Sequence, residues 1–238
     1  MKELLKLLEA SRKTTVFTGA GVSTLSGIPD FRGAHGVYNK PWNGYNVEDI
    51  LSIECFLQKP ELFYSWSKDF VYRADDFQPS EVHKTLAQWE ECGLIESVYT
   101  QNIDALHQRA GSKKVYELHG GAANHHCLRC GKYYSYNDVW QTVLADRVPR
   151  CECGGIVKPD IVFYGESLDE ELLDRGFADF GSSDLVLVLG SSLTVYPAAE
   201  LPMSAARSGV KIAVCNAQIT QIDSYAVKKY DDLKALFS

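Results

Sequence analysis

Two cysteine pairs, Cys127-x-x-Cys130 and Cys151-x-Cys153, stand 20 residues apart in this chain. Four thiolates at about 2.3 Å would close a tetrahedral shell around zinc, and a closed shell marks a structural site with no open position for water. Just upstream, His119 ends the apolar run Val115 to Leu118 and precedes two glycines. An imidazole exposed at a strand end titrates near pH ~6.5, so it can take a proton at neutral pH. Far towards the N-terminus, Gly19-Ala20-Gly21 follows a β-branched run and opens a helical pattern. Glycines there permit a tight turn and let the backbone approach a pyrophosphate. Metal clip, candidate base and phosphate cradle together suggest an enzyme that consumes a dinucleotide.

Each signal has a plainer reading. The glycine segment lacks the third glycine of the usual fingerprint, since Gly27 comes six residues after Gly21; alone it fits a tight turn as well as a nucleotide. Gln101-Asn102-Ile103-Asp104 follows a strand, where ligands bind in open α/β sheets, but Asn and Asp also cap helices. Of six histidines, His125 and His126 adjoin a cysteine and compete as metal ligands; the four cysteines are preferred because they complete the shell. His83 and His107 lie on helical patterns and read as structural. Cys55, Cys92 and Cys215 are scattered and read as plain thiols, since a disulfide framework is not needed in a chain this long.

These groups need a frame to position them. Thr14–Thr18, Ser97–Thr100, Lys114–Leu118, Ile161–Phe163, Asp184–Leu189 and Lys211–Cys215 are short, apolar and mostly unalternated, the pattern of parallel strands buried on both faces. Helical patterns at Glu81–Cys92, Ile103–Ala110 and Pro197–Ser208 lie between several of them. The order predicts an α/β fold with a doubly wound parallel sheet. Two stretches break the rhythm: an aromatic-rich helical insertion at 34–76, with a mobile start at Gly33-Ala34-His35-Gly36, and the cysteine segment at 120–157. Segments 1–33, 77–119 and 158–238 then form the large domain, and the two insertions together form the small one. Asp231–Phe237 reads as a closing helix.

The chain has 238 residues, 45% of them hydrophobic, and a net charge of −7; its sequence isoelectric point is about 5.4. That balance argues against nucleic acid as an obligatory partner. Apolar runs such as Leu185–Leu189 are too short to span a bilayer. The N-terminal MKELLKLLEASRK places charges among its leucines, as an amphipathic helix does and a signal peptide does not. We expect a cytoplasmic protein, without membrane association and monomeric.

GAGVSTLSGIPDFRG (19–33), TQNIDALHQRAG (100–111), ELHG (117–120), KPDIVFYGE (158–166) and GSSLTVYPAAELP (190–202) closely resemble the signature segments of the sirtuins, NAD-dependent protein lysine deacylases. The resemblance runs from about Val16 to Asn216. It implies a Rossmann-like large domain, NAD as co-substrate and one structural Zn2+. It assigns Gly19, Ala20, Gly21, Asp30, Phe31 and Arg32 to the NAD loop, where Arg32 adds a charge-assisted contact and Phe31 covers the reacting ribose. Gln101, Asn102, Ile103 and Asp104 would line the nicotinamide pocket, and Gly190, Ser191 and Asn216 the adenosine side. His119 becomes the catalytic base, acting through the ribose hydroxyls. Val162, Tyr164, Gly165, Glu166 and Val195 would hold an acyl-lysine protein or peptide, added as a strand. Val162, Tyr164 and Val195 would join Phe31 and His119 in an apolar tunnel for the lysine stem. In the implied reaction the acyl oxygen attacks C1′ of the nicotinamide ribose and nicotinamide leaves. The 2′-hydroxyl, deprotonated with the help of His119, then takes over the acyl group. Lysine and O-acyl-ADP-ribose are the products.

The chain departs from the family pattern at the second zinc pair, usually also C-x-x-C. It also lacks the Tyr-x-x-Arg pair of succinyl-preferring members: Tyr64 is present, but Ser67 stands at the Arg position and Lys68 lies a residue further on. That predicts uncharged acyl groups, acetyl first. Two rivals stand beside this reading: an ADP-ribosyltransferase or NAD glycohydrolase using the same site, and a non-catalytic NAD-sensing or zinc-mediated interaction module. A metal-dependent deaminase is excluded, because its His-x-Glu motif is absent.

Overall fold

The computed structural model describes residues 1–238 except 34–35, 70 and 74–75; Ala34 and His35 of the expected mobile start thus lie outside the described residues. The strands are β1 (Thr14–Thr18), β2 (Ser97–Thr100), β3 (Val115–Glu117), β4 (Gly120–Cys127), β5 (Tyr133–Ser135), β6 (Val157–Ile161), β7 (Leu185–Leu189), β8 (Lys211–Cys215) and β9 (Ala226–Tyr230). The helices are α1 (Lys2–Glu9), α2 (Gly21–Thr24), α3 (Val47–Ile50), α4 (Ile53–Gln58), α5 (Pro60–Ser67), α6 (Glu81–Glu91), α7 (Leu106–Ala110), α8 (Tyr136–Leu144), α9 (Glu170–Gly181), α10 (Glu200–Arg207) and α11 (Leu233–Phe237).

Six strands form one parallel sheet in the order β3-β2-β1-β7-β8-β9. Its central strands, β1 and β7, are buried throughout because both faces are covered. On β7, Leu185, Leu187 and Leu189 pack with Leu4 and Leu8 of α1, Val82 and Leu86 of α6 and Leu236 and Phe237 of α11. Val186 and Val188 face the other way, onto Phe180 of α9 and Leu201 and Ala205 of α10. Chain order reverses between β1 and β7, so the loops at their C-terminal ends diverge and leave a crevice, the place where such sheets bind ligands.

The expected strand Ile161–Phe163 is corrected. The strand is β6, Val157–Ile161, and it pairs antiparallel with β4 in a separate three-stranded sheet of order β5-β4-β6. A β-branched run shows extended backbone but not which sheet receives it. A third apolar cluster joins Phe56 and Phe63 of the helical insertion to Val139, Val143 and Val157 of the cysteine segment. The two insertions therefore share one core. No helix among the described residues is long and apolar enough to cross a membrane.

His83 and His107 are buried, with ring centroids 4.6 Å apart. His83 Nδ1 accepts the Ser80 N–H at 3.1 Å in a capping box at the start of α6, and His107 Nε2 lies 3.0 Å from Thr18 Oγ1. Burial holds His83 down to about 4 and His107 well below the ordinary range, as suits packed neutral rings.

Candidate functional site

A cleft of about 990 Å³ opens at the C-terminal ends of β1, β2, β7 and β8. Its walls include Ala20, Gly21, Asp30, Phe31, Arg32, Gln101, Asn102, Ile103, His119, Val162, Tyr164, Gly165, Glu166, Gly190, Ser191, Val195 and Asn216. Residues as far apart in the chain as Ala20 and Asn216 meet there because four parallel strands end on one side. Gly19 and Asp104 are not on the wall.

The glycines serve packing between loops before they serve any ligand. Gly21 N donates to Gly190 O at 2.9 Å. A Cβ on Gly21 would come within 2.7 Å of Gly190 Cα, and one on Gly190, whose φ is +60°, within 2.7 Å of Val22 N. Side chains at either position would push the two loops apart. The helix that follows, α2, has only four residues, so the expected helix-terminus site is reduced to this loop and its neighbours.

Behind the wall runs a polar network. Asn102 Nδ2 donates to Gly19 O at 3.1 Å and to Ser23 Oγ at 3.0 Å. Ser23 Oγ donates to Asp104 Oδ2 at 2.6 Å, and Asp104 Oδ1 accepts the Leu106 N–H at 2.9 Å. The carboxylate thus meets the first N–H of α7 from one residue before the N-cap, Ala105, and it also fixes Ser23. Burial raises the Asp104 pKa, and the bonds from Ser23 and Leu106 oppose that rise. Sequence reasoning missed Ser23, a small residue without a distinctive chemical signal inside the glycine segment. Gln101 Oε1 accepts from Ser191 Oγ at 2.7 Å, which ties the ends of β2 and β7.

His119 is partly buried on the cleft wall, with Nδ1 3.0 Å from Gln101 O. A carbonyl only accepts, so Nδ1 carries the proton and Nε2 keeps its lone pair. Burial lowers the His119 pKa, and the Gln101 carbonyl partly restores it. Nearby, Val162 N donates to His119 O, Tyr164 N to Leu51 O, and Ile53 N to Tyr164 O, all at 2.9 Å. Glu166 is held by the buried Lys158 at 2.9 Å and accepts the Phe163 N–H at 2.8 Å. Its carboxylate therefore shapes this segment.

Phe63, Trp66 and Val71 line the cleft as well, and Tyr64, Ser67 and Lys68 do not. Tyr64 OH donates to Val157 O, Ser67 is fully buried, and Lys68 Nζ binds Asp146 at 2.5 Å. The helix face turned to the cleft carries Phe63 and Trp66, and the two positions that match the Tyr-x-x-Arg pair, Tyr64 and Ser67, lie off it.

The four cysteine sulfurs lie within 4.8 Å of one another. Cys127 and Cys153 are 3.5 Å apart and Cys130 and Cys151 3.6 Å, near the ~3.8 Å edge of a tetrahedron with 2.3 Å zinc–sulfur bonds. The shorter second pair fits because the chain folds back at once: Cys151 N donates to Gly155 O and Gly154 N to Cys151 O, both at 2.8 Å. Gly155 must be glycine, since a Cβ there would stand 2.6 Å from Cys127 Sγ. His125 and His126 have other partners, Tyr72 OH at 2.9 Å and Asp160 at 2.7 Å.

Fold and site define a nucleotide-binding α/β protein with a cysteine-rich metal module built on its own small sheet. The chain matches the Sir2 family model over residues 19–197 and belongs to that family. It is 47% identical to an NAD-dependent protein deacetylase of Thermotoga maritima, over 97% of this chain and 92% of the relative. It is 39% identical to NAD-dependent protein deacylase 2 of Archaeoglobus fulgidus, over 94% and 87%. A solved Sir2 complex with a deacetylated p53 peptide and 3′-O-acetyl ADP-ribose superposes with a TM-score of 0.90 at 45% identity, covering 98% of this chain and 93% of the other. A Sir2Tm complex with a propionylated peptide gives 0.87 at 44% identity, covering 98% and 92%.

Proposed function

We infer that this chain removes acyl groups, acetyl first, from protein lysine side chains, consuming NAD and giving nicotinamide and O-acyl-ADP-ribose. One observation carries the reading: a histidine with a fixed tautomer faces the same cleft as the glycine loop and Asn102. NAD supplies the electrophilic ribose carbon and the hydroxyl that receives the acyl group. Nε2 of His119 takes the proton from that hydroxyl. Asn102, set by Gly19 and Ser23, meets the carboxamide, and Asp104 acts on it through Ser23. Gly190, Ser191 and Asn216 hold the adenosine side. The Tyr164 edge is already paired with Leu51 and Ile53, so the peptide strand lies between Gly165 and the Ser192–Val195 segment. The small domain comprises 34–76 and 120–157, and the large domain the rest. Incubation with an acyl-lysine peptide and NAD, read by mass, tests the activity; free ADP-ribose or modified protein without O-acyl-ADP-ribose would favour the glycohydrolase or transferase reading.

Two consequences follow from the site. Ser23→Ala removes a hydrogen bond to a buried carboxylate, so kcat/KM for NAD should fall by roughly 10-fold, the scale of one bond to a charged group. Unchanged kinetics would show that the Ser23 network behind the wall does not set Asn102 for the cofactor. The second concerns the acyl group. The cleft face of α5 offers Phe63 and Trp66, and Lys68 is engaged with Asp146. A succinyl carboxylate buried there would stand unpaired, at a cost of several kcal/mol. Acetyl-lysine should therefore exceed succinyl-lysine by at least ~100-fold in kcat/KM on one peptide; a succinyl preference would show that a cation reaches the pocket.

A further inference from the structure

Arg32 and Tyr164, placed above at the cleft, form a cluster with two further residues, Tyr38 and Glu48. Arg32 Nη2 donates to Glu48 Oε1 at 2.9 Å and to Tyr164 OH at 3.3 Å. The guanidinium lies over the Tyr38 ring, 4.9 Å from its centroid, and the Tyr38 and Tyr164 hydroxyls are 3.1 Å apart. Arg32, Tyr38 and Tyr164 line the cleft; Glu48, half exposed on α3, does not. One guanidinium is thus shared by the glycine-segment loop, the helical insertion and the segment after β6.

We propose that Glu48 sets the affinity for NAD by competing with the cofactor's diphosphate for Arg32. This rests on the assignment of Arg32 to the NAD loop. A carboxylate at 2.9 Å makes a charge-assisted bond with one arm of the guanidinium fork. A diphosphate that draws on the same arm of Arg32 must share that nitrogen or displace Glu48. It also arrives as an anion within reach of the Glu48 charge. Both effects oppose binding. If Glu48 instead prearranged Arg32 for the cofactor, its loss would weaken binding, so the sign of the change decides. Competition is favoured because the Tyr38 ring and the Tyr164 hydroxyl still hold the guanidinium at the wall without Glu48. A partly exposed pair of this kind contributes little to stability, so removing the carboxylate leaves a folded protein to measure.

The test is calorimetric titration of NAD into wild-type, Glu48→Gln and Glu48→Asp protein without peptide, followed by steady-state kinetics. Glu48→Gln should bind NAD about threefold to tenfold more tightly, with the gain shrinking as salt rises from about 0.05 to about 0.5 M. The change should fall in KM for NAD and leave kcat within about twofold. Glu48→Asp, which keeps the charge, should stay close to wild type. Unchanged or weaker NAD binding by Glu48→Gln overturns the proposal while the wild-type activity stands. A wild-type protein that neither binds NAD nor releases nicotinamide removes the functional reading, and this proposal with it.

Discussion

Replacing His119 with alanine is expected to lower deacylation by at least ~100-fold, the usual scale for loss of a general base, while NAD still binds. The ring contributes a proton acceptor at Nε2 because Nδ1 is committed to the Gln101 carbonyl. The reacting base must be neutral, and burial lowers the His119 pKa. The acid limb of wild-type kcat/KM should therefore be centred below ~6.5, the ordinary histidine value, where the imidazolium forms. In His119→Ala that acid limb should vanish along with the rate. Nicotinamide exchange should survive better than deacylation, since nicotinamide leaves before the base acts. Near-normal turnover in the variant would remove His119 from the mechanism, and an acid limb well above pH ~6.5 would contradict the buried environment.

The parts of the fold that sequence revealed are those where burial leaves no choice of residue. The strands β1, β2 and β7 are buried along their whole length, and β8 at every residue but Lys211, and such runs are legible without tertiary information. The edge strand β9, Ala-Val-Lys-Lys-Tyr, alternates in exposure and is held by its parallel pairing with β8, with ion pairs of Lys228 to Glu3 and Lys229 to Asp223 beside it. Nothing local distinguishes it from a loop. The helix α9 went unread because Gly176 interrupts its pattern; that glycine lets Leu201 of α10 approach, where a Cβ would meet Leu201 methyls at 2.9 Å. β4, Gly-Gly-Ala-Ala-Asn-His-His-Cys, contains weak strand formers held by neighbours on both sides. At the site, motif residues that end strands were legible because the sheet fixes where they point. Ser23, Glu48 and the cleft face of α5 were not, because each acts through a partner distant in sequence.

Changing Cys153 to alanine should release the metal and unfold the small sheet, the larger structural effect expected of any single substitution here. Cys153 is exposed, and an exposed side chain outside any special feature changes stability by no more than about 0.5 kcal/mol when truncated. Cys92 is exposed as well and supplies the control. A ligand behaves differently. Structural zinc in small domains binds with on the order of 10 kcal/mol, and that binding energy is folding energy. The turn from Cys151 to Gly155 and the knuckle at Cys127–Cys130 reach the shared core only through Cys127 and Cys151 themselves, and the neighbouring β5 has only three residues. Wild-type protein should carry one zinc per chain by elemental analysis. Cys153→Ala and Cys127→Ala should lose it and melt far lower, and a strong chelator should act on the wild type in the same way. Cys92→Ala should keep both metal and melting temperature. If Cys153→Ala melts like Cys92→Ala, or if metal-free wild type is equally stable and active, the four sulfurs do not hold a structural zinc.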